Sequence, residues 1–151
     1  MGEKGQVKYL ARIEVYNRIR NGEIWGIRDM GPKAIPGLKT VLDEGEYWEK
    51  RSAIEALSLI GGEKAGRLLK SVLRKGEGRI RKTAINLLAG RKIGWLDKEL
   101  ERLAKDPDLN IKYSAVNALR MRRRSSPPPA KRRIPDNFGN RKQGEKMLAG
   151  R

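Results

Sequence analysis

Apolar positions along this chain fall into a pattern that returns every 31 residues. The segments KRSAIEAL (50–57), RKTAINLL (81–88) and KYSAVNAL (112–119) each carry a basic residue, Ala three positions on, then Ile or Val, and Leu four positions after the Ala. That spacing gathers the apolar side chains on one face of a helix, here called an A helix. A second series keeps the same step, with Ala34, Leu38, Val41 and Leu42, then Ala65, Leu69, Val72 and Leu73, then Leu96, Leu100, Leu103 and Ala104. These predict partner helices, B. Breakers at Gly45, Gly76 and Pro107 share the period, and Gly61-Gly62 divides A from B in the central unit.

Helices of about 11–14 residues are too short to be stable alone in water, so stacking must carry the stability. The pattern therefore predicts an all-α fold, a short helical-hairpin solenoid in which each hairpin buries its apolar face against its neighbours. Toward the N-terminus the register decays. Residues 5–20 predict a capping helix, Asn21-Gly22 interrupts it, and residues 24–30 predict a degenerate A helix. Pro36 is tolerable only near a helix start. The organisation expected is a capping segment over 1–23, a repeat domain over 24–122 and an extended arm over 123–151.

The repeat resembles the short HEAT-like repeats that also occur in phycobilisome lyases. KDPDLNIKYSAVNAL (105–119) carries the loop-then-basic-helix signature most closely, and the resemblance covers roughly residues 24–122. It implies an architecture and no particular activity.

Charge changes the picture. Lys and Arg number 35 against 18 Asp and Glu, a formal charge of +17 whose field attracts polyanions. From Arg122 to Arg151 there are ten basic and two acidic side chains, a net of +8, which leaves +9 for residues 1–121. Pro127 to Pro129 predict an extended spacer. Beyond it, Ile134, Phe138, Met147 and Leu148 are the only large apolar groups, too few to offset the entropy of ordering the arm, which is expected to take shape only on a partner.

Nucleic acid is the natural partner for such a segment, with Arg forking onto phosphates or stacking on bases. The candidate RNA-binding residues in and before the arm are Arg120, Arg122, Arg123, Arg124, Lys131, Arg132, Arg133, Arg141, Lys142 and Lys146. On the repeat domain they are Lys50, Arg51, Arg79, Arg81, Lys82 and Lys112. The 31-residue step sets Lys50, Arg81 and Lys112 in a row at a pitch of about 8–10 Å, able to follow a phosphate backbone. Pairing with a loop acid such as Asp106 or Asp108 is the competing reading of that row.

Cysteine and histidine are both absent, which removes thiol chemistry, Cys/His zinc sites and the commonest proton-transfer side chain. Asp97, Glu99 and Glu101 are matched by Lys98, Arg102 and Lys105, as on a solvated face. Trp25, Trp48 and Trp95 hold no equivalent repeat positions and read as packing or interface residues. No enzyme, cofactor, metal or small-molecule substrate is expected. The segment MGEKGQ has no apolar run to act as signal peptide or membrane span, so a cytoplasmic protein without a membrane partner is expected. The residue usage resembles that of heat-adapted proteins, as in a thermophilic archaeon. The function expected is a structural RNA-binding protein, a ribosome-associated accessory protein on ribosomal RNA beside neighbouring ribosomal proteins. A protein-interaction scaffold and a HEAT-like DNA-binding or DNA-repair module are the alternatives.

Overall fold

A computed structural model describes residues 2–126. Lys131, Arg132, Arg133, Arg141, Lys142 and Lys146 of the arm lie outside the described residues, as does the polyproline spacer. Among the described residues the fold is all-helical, with no strand: α1 (Glu3–Arg20), α2 (Ile24–Met30), a 3-10 turn (Gly31–Ala34), α3 (Ile35–Glu44), α4 (Tyr47–Ile60), α5 (Gly62–Lys75), α6 (Gly78–Ala89), α7 (Leu96–Leu103) and α8 (Leu109–Ser125). None of these helices is long and apolar enough to cross a membrane.

Local chemistry sets most of the boundaries. The residues preceding α4, α6 and α8 are Glu46, Glu77 and Asp108, again 31 apart, each putting a carboxylate at the positive end of a helix dipole. Glu46 and Glu49 form a reciprocal capping box on α4, and the Asp108 carboxylate accepts the Asn110 amide at 2.9 Å. Pro36 stands in the first turn of α3, where its missing N–H leaves no helical bond unmade. The joint from α4 to α5 is only Gly61-Gly62, both at positive φ, +68° and +81°, a conformation that glycine adopts without steric cost. Gly45 and Gly76 follow α3 and α5 with nearly the same extended backbone, and a Cβ at either would overlap the carbonyl oxygen of Val41 or Val72. Of the B helices, α5 has the predicted length at 14 residues, while α3, at 10, and α7 are shorter. α7 has 8 residues because the Lys92–Trp95 stretch delays its start, while Pro107 disfavours helical backbone at Asp106.

Packing follows the two apolar series. α4 packs against both α2 and α6, and α6 against both α4 and α8; α3 joins α1 to α4, α5 lies on α4 and α6, and α7 on α8. Ala53, Ala84 and Ala115 are fully buried where the A helices meet, beside Ile54, Leu57, Ile85 and Leu88. Their small side chains let the helix backbones approach. Val15, Ile19, Ile27 and Leu38 continue the same core into α1, α2 and α3, so α1 is tied to the helices that follow by ordinary apolar burial.

Candidate nucleic-acid interface

The cations that the sequence singles out divide into two groups according to where the helices point them. Arg81 turns inward. Its Nε donates to the Leu73 carbonyl at 2.8 Å and its other nitrogen to Asp106, with only 14% of its side chain exposed. Arg122 is likewise enclosed at 15% exposure, pairing with Asp97 and donating to the carbonyls of Ala89 at 3.1 Å, Arg91 at 2.6 Å and Ile93 at 3.2 Å. Those carbonyls lie at and just beyond the C-terminus of α6, and those of Arg91 and Ile93 also accept the Ile93 and Leu96 amides, so the guanidinium takes up further acceptor positions there. Arg81 follows the competing reading, pairing with the loop acid Asp106, and Arg122, expected to meet RNA, is held in the same way by a carboxylate and backbone carbonyls, so each clamps its helix to neighbouring segments. Each guanidinium makes charge-assisted hydrogen bonds to fixed oxygens, with its own desolvation opposing them. The expected row of Lys50, Arg81 and Lys112 is thus broken at its centre, with Lys50 half-buried and Lys112 exposed.

Glu99 is a further correction. Expected on a solvated face, it is 93% buried and accepts hydrogen bonds from Arg74 across the gap from α5 and from Arg102 on its own helix, each Nε at 3.2 Å. The Arg74 hydrogen bond, and then that of Arg102, hold its carboxyl below the usual carboxylate range against the opposing effect of burial. The Asp106 carboxyl is lowered by Arg81 first and by the Asp108 amide second. Both groups bind a proton less readily folded than unfolded. Their stabilisation is therefore complete above the ordinary carboxylate pKa of about 4 and is lost as pH falls through the depressed folded values. Thermal melts from pH 7 down to pH 3 are expected to show this loss. The variant Asp106→Asn should be less stable than the parent at pH 7 and lose stability less steeply on acidification. Equal slopes for the two proteins would remove the Arg81–Asp106 pair from the account.

The exposed cations lie one step round the same helices. Repeat register places Arg51, Lys82 and Tyr113 in one row, and Trp48, Arg79 and Asn110 in another, all exposed. Contacts tie the rows together. The Arg79 guanidinium lies 3.9 Å from the Tyr47 ring centroid, and the Tyr47 and Thr83 hydroxyls share a hydrogen bond of 2.8 Å. Further along the surface, Arg120, Arg123 and Arg124 rim a hollow floored by Val116 and Leu119 near the end of α8, which runs through all three.

The tryptophans also separate. Trp95 packs on α5, where a Cβ at Gly66 would stand 3.2 Å from its Nε1 and where Lys70 lies 5.1 Å from its ring centroid. Trp25 and Trp48 remain exposed, so packing describes only Trp95. Aromatic residues at 47 and 48, with basic ones at 51 and, one repeat on, at 79, are the signal by which this surface could have been found in the sequence. No protein-family model, curated protein or solved structure matches the chain.

Proposed function

We propose that this chain is a structural RNA-binding protein, an accessory protein of the ribosome in which a HEAT-like solenoid rests on ribosomal RNA while the basic arm follows it between RNA elements. The observation that carries the reading is the distribution of charge. A net of +8 belongs to residues 122–151, and Arg51, Arg79, Lys82, Lys112, Arg120, Arg123 and Arg124 are exposed on the A helices. Cations so disposed release counterions from a phosphate backbone on binding. Support for the solenoid comes from the shared 31-residue period of helix starts, glycine breaks and buried alanines, and from the succession of packed helices from α2 through α4 and α6 to α8.

The test is the salt dependence of binding to structured ribosomal RNA, measured by filter retention between 50 and 200 mM salt. With about 6–10 phosphate contacts, affinity falls by about 10³-fold or more over that range. Replacing Lys131, Arg132, Arg133, Arg141, Lys142 and Lys146 together by Gln is expected to lower the logarithmic salt slope by about 0.7–0.9 for each phosphate that is no longer neutralised. Binding that ignores both salt and these substitutions would defeat the proposal. Preference for duplex DNA at equal phosphate concentration would transfer it to DNA, and failure to sediment with ribosomal particles would remove the ribosomal part.

A further inference from the structure

An electrostatic seat for RNA needs no aromatic rings, yet the A-helix surface displays them among its cations. Trp25 is 63% exposed, Trp48 42% and Tyr113 62%. Each has a basic neighbour. The Arg28 guanidinium lies 5.2 Å from the Trp25 ring centroid, Arg51 follows Trp48 by three positions on α4, and Lys112 precedes Tyr113 on α8. Arg79, whose guanidinium lies 3.9 Å from the Tyr47 ring centroid, is itself exposed and adds a planar group on which a base can stack.

We propose that this face binds unpaired RNA, with bases stacked on Trp48, Tyr113 and the Tyr47-supported Arg79 while Arg51 and Lys82 hold the intervening phosphates. The inference rests on the RNA-binding reading and adds which form of RNA is recognised. In an A-form duplex the bases are stacked on one another and their flat faces cannot reach a protein ring. Only splayed or single-stranded nucleotides can use these platforms. Charge complementarity selects the occupant, since the rows carrying the rings also carry Arg51, Arg79 and Lys82, and a polyanion with exposed aromatic bases satisfies both features at once.

The experiment uses the full chain, fluorescence anisotropy, and two labelled probes of equal phosphate content, a single-stranded oligoribonucleotide and a blunt RNA duplex. Trp48→Ala and Tyr113→Ala should each weaken single-strand binding by about 5- to 150-fold, the loss of one stacked base, and leave the salt slope unchanged. Duplex binding should not move. Trp48→Phe keeps a ring and should restore most of the affinity, which a loss of folding would not allow. Arg51→Gln and Lys82→Gln should instead lower the salt slope by about 0.7 each on the single strand. The inference is overturned if the aromatic variants bind single strands as the parent does, or if they weaken both probes equally. In either case salt-dependent binding by the arm leaves the broader RNA reading standing. If neither probe binds at all, that reading fails and this one with it.

Discussion

Replacing Arg122 by Met lowers the unfolding free energy by about 3 kcal/mol, a larger loss than any neighbouring arginine should produce. The guanidinium serves the carbonyls of Ala89, Arg91 and Ile93 together with the Asp97 carboxylate, and the first three belong to the end of α6 and the loop that follows it. A hydrogen bond to a charged group is worth about 1.5–3 kcal/mol, but the desolvation of Arg122 itself offsets part of the total. Met retains the aliphatic bulk and removes the donors, so the measured loss reports the polar clamp. For a chain of this size the melting temperature should fall by about 6–12 °C. Arg123→Met and Arg124→Met, at exposed positions on the same helix, are the controls and should stay within about 0.5 kcal/mol of the parent. Melting of Arg122→Met alongside those controls would show that water replaces the clamp at no cost.

The second large effect belongs to Ala84. It is fully buried on α6, the helix that packs against α4 on one side and α8 on the other. Ala84→Leu adds a branched side chain where the core has no space, and it should cost about 3 kcal/mol, the upper end for overpacking, because both helix interfaces must open. Asn86→Leu on the exposed side of the same helix adds comparable bulk and should change stability by no more than about 0.5 kcal/mol. Urea denaturation of the two variants distinguishes burial from helix propensity. Equal midpoints would place position 84 outside the A-helix interface.

Some of what the structure corrects was already present in the spacing. A basic residue three positions before a buried Ala lies near the same helical face, which lets Arg81, three before Ala84, turn inward; Lys112, three before Ala115, is exposed, so the spacing permits enclosure without imposing it. Glu99 stands three after Leu96 and four before Leu103, within the apolar stripe of α7, and the same geometry places it inside. Its partner Arg74 was not legible, since 25 residues of chain separate them and their meeting depends on how α5 and α7 are set against each other. Arg122 and Asp97 are also 25 residues apart and were no more legible, whereas Asp106, equally distant from Arg81, could be named from the sequence because it stands in the loop just before the next A helix. A residue's periodicity tells which side of its helix is buried; it does not identify an acid on another helix.

Period and breakers alone determine the helical elements: the recurrence of Ala, Ile and Leu at i, i+1 and i+4, the acidic helix starts, and glycines that end one helix before another begins. Such patterns act within a few residues, where backbone geometry leaves few alternatives. Which arginines are enclosed in the fold and which stay exposed was decided only by tertiary packing. Arg79 and Arg81 are two positions apart in one helix and equal in charge, yet one stacks in the open on Tyr47 and the other is enclosed with Asp106. The reason is rotational: about 200° of helix separates them, and only the placement of α8 and its preceding loop turns that angle into a difference between an exposed group and an enclosed one.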